Sequence, residues 1–182
     1  MTTRNDATLR ARRLRLMAFD IDGVMTDGTI FYTDEGIELK GFSTLDGFGI
    51  KRLQEAGIAV AIITGRKSRC VEHRARNLAI EHVFQGVEDK AGALHALLAE
   101  LGIDAGQAGY MGDDVVDLKV MAACGFSAAP ADAHPLAQRH AALVTAREGG
   151  RGAVREVCDF ILDAQGLLDA ALAPWLPADP CR

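Results

Sequence analysis

Four short clusters carry the side chains able to do chemistry: Asp20-Ile21-Asp22-Gly23, Thr64-Gly65-Arg66, Lys90, and Gly112-Asp113-Asp114 with Asp117 three residues on. Carboxylates at i and i+2 followed by glycine can both face one pocket where the chain leaves a strand in a loop. Asp113 adds a third. Carboxylates crowded in this way repel and raise one another's pKa. A hard cation removes the conflict, and oxygen ligands in this number suit Mg²⁺ completed by waters and a substrate phosphate. Thr64 offers a hydroxyl, and the backbone N–H groups around Gly65, near a helix start, suit phosphate oxygens. Lys90 offers a positive point charge. A carboxylate attacking phosphorus is a route to a covalent intermediate. Asp22 can protonate the leaving oxygen and then activate water.

Elements must bring these clusters together. Residues 14–19 form an apolar run ending at Asp20, and residues 58–63 a β-branched run ending at Thr64. Such runs suit strands covered on both faces. Further strands are expected over 82–85, 108–111, 126–129 and 142–144. Helices are expected over 46–56, with Asp46 as cap and Gly57 as stop, and over 68–78, 91–101, 115–122, 135–140 and 153–162. Residues 29–33 and 37–42 flank Asp34-Glu35-Gly36 and read as a hairpin. The alternation implies an α/β fold, a Rossmann-like three-layer sandwich with a mostly parallel sheet and a small β-hairpin insertion. Ligands of open parallel sheets bind beyond the carboxyl ends of the strands, where the clusters converge.

The chain has 182 residues, 49% of them hydrophobic, enough for one domain with a core. A net charge of −5 argues against non-specific nucleic-acid binding. Cys70, Cys124, Cys158 and Cys181 show no CxxC pair, so reduced thiols in a cytoplasmic protein are expected. No apolar run reaches the ~20 residues of a membrane span. Residues 1–13, with Arg4, Arg10, Arg12 and Arg13, read as a polar tail, residues 14–167 as the domain, and residues 168–182 as a mobile tail.

The ordered set Asp20-x-Asp22-Gly23-Val24, Thr64-Gly65-Arg66, Lys90 and Gly112-Asp113-Asp114-x-x-Asp117 resembles the haloacid dehalogenase superfamily, capless type. More closely, Asp20 through Gly28, Ala61 through Lys67, Ala131 through Pro135 and Gly149 through Cys158 resemble the family of 3-deoxy-D-manno-octulosonate 8-phosphate phosphatases, over about residues 14–167. The resemblance implies hydrolysis of that sugar-acid phosphate, in lipopolysaccharide biosynthesis, through an aspartyl-phosphate. It implies Asp20 as nucleophile and metal ligand, Asp22 as acid/base and backbone ligand, and Asp113 as third ligand. Thr64 and Lys90 would complete the catalytic set. It places Ser43, Thr44, Leu45, Asp46, Gly47, Lys51, Gly65, Arg66 and Arg74 at substrate, along with Asp22 and Lys90. At Lys51 arginine is more usual in the family, and lysine keeps the charge but loses the bidentate fork. It also implies a homotetramer whose hairpins form a barrel and whose neighbours cover each site. The segment Gly149-Gly150-Arg151-Gly152 and the C-terminal tail are candidates for mobile cover.

Other readings stand beside these. Asp114 and Asp117 either approach the metal shell or hold the loop, and a three-residue spacing can put both on one helix face. His134 and Pro135 read as loop-shaping. Trp175 either packs on a neighbouring subunit or lies in a disordered tail. The rival substrate is a nine-carbon keto-sugar acid phosphate, since a methylene-sized difference gives only about 1–3 kcal/mol of discrimination. Rivals from other classes are a non-catalytic phosphate-binding module and a subunit that only contributes to an assembly.

Overall fold

The computed structural model describes residues 4–177; Cys181 and the rest of the two chain ends lie outside the described residues. Six parallel strands form the main sheet: β1 (Leu16–Phe19), β4 (Ala59–Thr64), β5 (His82–Gln85), β6 (Ala108–Met111), β7 (Phe126–Ala129) and β8 (Leu143–Val144). Their order is β5-β4-β1-β6-β7-β8, so β1 lies between β4 and β6. Phe19 is in register with Ile62 on one side and Met111 on the other. The Asp20 N–H extends this ladder to the Met111 carbonyl at 3.0 Å. The apolar runs therefore end level with one another, and the polar residues after them emerge at one edge.

Strand alternation divides the core. Met17, Phe19, Val60 and Ile62 face the helices α2 (Thr44–Glu55), α3 (Arg69–Leu78) and α7 (Ala153–Ala164). Leu16, Ala18, Ala61, Ile63 and Tyr110 face α4 (Lys90–Leu101) and α5 (Leu118–Ala123). This is the three-layer α/β arrangement expected from the sequence. A short α6 (Pro135–His140), with proline in its first turn, covers the β7–β8 end.

The expected hairpin forms as β2 (Phe31–Tyr32) and β3 (Glu38–Leu39), antiparallel and separate from the main sheet. Gly36 supplies the left-handed turn residue at φ +78. Phe31, Tyr32, Ile37 and Leu39 are all more than half exposed.

Three expectations need correction. The N-terminal segment is not a tail from residue 4 on: Arg4–Ala11 is a helix, α1, packed on α7 with Ala7 and Ala11 wholly buried. Its arginines bind rather than float, Arg10 donating to the Gly125 carbonyl and Arg12 to the Ala164 carbonyl, each at 3.2 Å. At the other end, Leu168–Leu172 forms α8, followed by a 3₁₀ turn at Ala173–Trp175. Trp175 packs within its own chain, edge-on to Phe48 at 5.0 Å and beneath the Arg52 guanidinium at 4.2 Å. Finally, α2 is capped by Ser43, whose hydroxyl accepts the Asp46 N–H at 3.4 Å. That frees the Asp46 carboxylate for a different helix.

Candidate active site

The ends of β1, β4 and β6 and the start of α4 enclose a cleft of about 560 Å³ lined by Asp20, Asp22, Thr64, Gly65, Arg66, Lys90 and Asp113, among others. At its floor the Lys90 ammonium bridges Asp20 Oδ2 at 2.5 Å and Asp117 Oδ1 at 2.6 Å, all three side chains nearly or wholly buried. Asp89, the N-cap of α4, accepts the Gly92 N–H and so fixes the turn from which Lys90 projects. Burial alone would lower the Lys90 pKa, but Asp20 and Asp117 outweigh it and hold the ammonium above its usual range. Burial pushes the Asp20 carboxyl up, with Lys90 pulling against it.

The carboxylates divide by the partners they already have. Asp117 is saturated: Oδ1 receives Lys90 and lies 3.0 Å from the Tyr110 hydroxyl, and Oδ2 accepts the N–H groups of Asp113 and Asp114 at 3.1 and 3.3 Å. It folds the β6 loop. Asp114 is exposed and turns its carboxylate to the Val115 N–H at 2.7 Å, starting a 3₁₀ turn. Asp113 accepts no hydrogen bond from another side chain among the described residues and is pushed up to about 7, first by burial and then by Asp117, Asp20 and Asp114. Oxygens of Asp20, Asp113 and Asp117 lie within 4.8 Å of one another. An all-oxygen set with one carboxylate lacking a counter-charge fits a hard divalent cation between Asp20 and Asp113.

Glycines bring the loops this close. Gly23, at φ +85, sits where any Cβ would collide with the Asp113 carboxylate, and a Cβ at Gly112 would strike Asp117. Gly149 and Gly150 press on the same loop from behind. The Gly150 N–H donates to the Val24 carbonyl at 2.9 Å, and a Cβ at Gly149 would overlap the Gly23 carbonyl. The segment expected to be mobile cover is thus a backbone clasp in this structure. Beyond it, Gly152 offers no capping side chain to α7, and Asp46 substitutes, accepting the Arg155 N–H at 2.9 Å.

The residues assigned to substrate by resemblance split into groups. Gly65 and Arg66 line the cleft with Asp22 and Lys90. Ser43, Thr44 and Leu45 line a separate groove of about 550 Å³ with Asp27, Gly150 and Arg151. Asp46 and Gly47 are buried, Asp46 as the α7 cap. Lys51 is exposed on α2, and Arg74 donates to the Ser43 carbonyl at 2.7 Å; neither lines the cleft. The sequence reading missed Lys40, which follows β3 and reaches Asp22 with a wholly buried side chain. A lysine at the end of an exposed hairpin gives no sign of burial until the hairpin is folded. A larger groove of about 770 Å³ runs between β8 and α7, but Glu156 and Asp159 there are occupied by the Ala146 N–H and by Arg155.

Paired strand-end carboxylates, a buried lysine and a threonine at the third loop define the haloacid dehalogenase-like hydrolases. A model of that description, haloacid dehalogenase-like hydrolase, matches residues 80–156. The chain is 51% identical to the 3-deoxy-D-manno-octulosonate 8-phosphate phosphatase of Yersinia pestis, covering 92% of this chain and 89% of the relative. It is 48% identical to that of Escherichia coli (strain K12), covering 91% and 88%. The crystal structure of the Moraxella catarrhalis phosphatase of the same name, in complex with magnesium ion, phosphate ion and a KDO molecule, superposes with a TM-score of 0.94. It is 41% identical, covering 96% of this chain and 100% of that one. The chain belongs to the 3-deoxy-D-manno-octulosonate 8-phosphate phosphatase family.

Proposed function

We propose that this phosphatase hydrolyses 3-deoxy-D-manno-octulosonate 8-phosphate to the free sugar acid and phosphate, with Mg²⁺ held by Asp20, Asp113 and the Asp22 backbone. The observation that carries the reading is the buried Asp20–Lys90–Asp117 bridge at the base of a cleft that also holds Asp22 and Thr64.

Asp20 attacks phosphorus while the bond from phosphorus to the sugar oxygen breaks, and Asp22 gives its proton to that oxygen. Asp22 then takes a proton from the water that attacks the aspartyl-phosphate, releasing phosphate and restoring Asp20. Lys90 aims the Asp20 carboxylate and offsets charge on the transferring group. Thr64 and Gly65 hold the phosphoryl oxygens, and Arg66 contacts substrate. When bound, Mg²⁺ screens the repulsion between the Asp20 anion and the phosphate and stabilises the charge that develops.

The rest of substrate recognition we assign to a homotetramer. Lys51 and Arg74 lie off the cleft of their own chain, and the exposed apolar hairpin supplies a surface for another copy. Ser43, Thr44 and Leu45 open into a groove beside Arg151. Residues 14–167 form the catalytic domain, and α1 and α8 dock onto it. Cys70, Cys124 and Cys158 are free thiols, and no helix among the described residues is long and apolar enough to cross a membrane. A cytoplasmic enzyme of lipopolysaccharide synthesis accords with both.

The test is phosphate release from 3-deoxy-D-manno-octulosonate 8-phosphate by wild type and Asp20→Asn, with Mg²⁺ and with excess chelator. Release by wild type alone, abolished by chelation, is expected. Mg²⁺-dependent release from a nine-carbon homologue only would replace the substrate, and no release from any phosphate ester would overturn the chemistry.

A further inference from the structure

Lys40 leaves β3 and turns inward. Its side chain has no exposure, its ammonium pairs with Asp22 Oδ1, and Glu38 Oε1 lies 3.7 Å away. An ammonium taken wholly out of water costs several kcal/mol unless it is paired. The Glu38 carboxylate supplies a counter-charge, and Asp22 Oδ1 accepts from the ammonium whether or not Oδ2 carries a proton. Glu38 is itself held, accepting from the Ser68 hydroxyl at 2.5 Å and from Arg66 at 3.2 Å. Arg66 also donates to the Tyr32 hydroxyl at 3.0 Å. The hairpin is thus tied to the cleft by one charged network.

The two oxygens of Asp22 meet different cations. Oδ1 is held by buried Lys40, whereas Oδ2 lies 3.6 Å from Arg66 Nε, on a side chain 47% exposed. Arg66 is half exposed and holds Glu38 and Tyr32 as well. Lys40 is enclosed and does not shift without the hairpin. Oδ1 is thus the oxygen held by an enclosed cation, and Oδ2 lies toward the cleft-lining Arg66.

On the reading of Asp22 as proton donor, we propose that Lys40 is a positioning residue: it anchors Asp22 Oδ1 from the hairpin so that Oδ2 presents the proton to the leaving oxygen. In that step the Oδ2–H bond breaks, a bond from that proton to the leaving oxygen forms, and the bond from phosphorus to that oxygen breaks. The hairpin then serves the chemistry of its own chain as well as offering a surface to another.

Leaving-group dependence separates this role from a structural one. An alkoxide leaves slowly without a proton, whereas 4-nitrophenolate leaves readily without one. The measurement is kcat/KM, which reports formation of the phosphoenzyme, on a sugar phosphate and on 4-nitrophenyl phosphate. The proteins are wild type, Lys40→Met, Asp22→Asn and the double variant. Lys40→Met is expected to lose roughly 10–100-fold on the sugar phosphate and less than about 3-fold on the aryl ester, the loss typical of a displaced catalytic group. The double variant should be no slower than Asp22→Asn on the sugar phosphate, because the two residues act as a unit. Equal losses on both esters in Lys40→Met, with the split kept in Asp22→Asn, would overturn the positioning role alone. No split in Asp22→Asn would overturn the proton-donor reading and this inference with it. Each ratio compares two esters in one sample, so partial unfolding cancels; Lys40→Gln repeats the comparison where Lys40→Met fails to accumulate.

Discussion

The cleft and the neighbouring groove treat polar groups in opposite ways. In the cleft, Lys90, Asp117 and Tyr110 use one another up, and of the clustered carboxylates Asp20, Asp113 and Asp117 it is Asp113 that lacks an ion-pair partner among the described residues. Behind the groove, satisfaction is incomplete among the described residues: the buried Arg74 Nε and Asp46 Oδ2 have no hydrogen-bond partner, and in the groove Leu45 is half exposed. The difference separates two tasks. Reacting atoms must be held without reorganisation, so their surroundings are complete within one chain. Recognition, on the proposed tetramer, is left open to a neighbouring copy.

Substitutions can break this contrast, and Lys90→Met strikes the complete side hardest. It leaves Asp20 and Asp117 buried without a cation, so activity should fall by about 10³-fold and unfolding free energy by about 3 kcal/mol. Kinetics with denaturant melts measure both, and a stable, active variant would show that the bridge is dispensable. On the open side, Arg74→Ala should raise KM about 10–100-fold with little change in kcat, the signature of lost uniform binding. A fall in kcat at unchanged KM would place Arg74 at the chemistry instead.

Asp113 sharpens the contrast through pH. Its folded-state pKa of about 7 lies above the ordinary 3.8, so the metal-free fold favours the protonated form. That contribution is full below about pH 4 and is lost as pH rises to about 7. Metal-free stability should therefore decline across this window, and Asp113→Asn should flatten the decline. The variant should gain on the order of 1–3 kcal/mol at pH 8 without metal, while Mg²⁺ no longer stabilises it. Calorimetry with and without Mg²⁺ tests this, and an unchanged slope would sink it. The smallest effect is expected from Trp175→Ala, about 1 kcal/mol in a melt from its contacts with Arg52 and Phe48, at unaltered kcat.

The cleft was legible because its chemistry sits at strand ends, and strand ends follow from apolar runs. Residues 58–63 announce β4, and Thr64 then has one place to go. Asp117 was legible only as a choice between metal shell and loop; its four partners make it hold the loop, and its carboxylate also lies in the cluster with Asp20 and Asp113. The misses share a cause, since charged side chains carry no sign of burial. Lys40 reads as solvated until its hairpin folds over Asp22. Asp46 reads as a local cap, yet its partner is 109 positions away. The Arg-rich start reads as a tail because two buried alanines are a faint apolar signal beside four arginines.

The clasp of Gly149 and Gly150 on the Val24 carbonyl and the back of Gly23 sets a condition on synthesis. The proposed nucleophile leaves the ribosome before the segment that braces its loop, which follows about 130 residues later. At ordinary translation speeds of ~5–20 residues per second the delay is roughly 7–26 s. Until then Asp20 belongs to an unbraced loop, and a chain broken off before residue 149 carries the proposed catalytic side chains without the clasp on the Gly23–Val24 loop. On the proposed mechanism, catalytic competence waits on a segment made well after the loop that it braces.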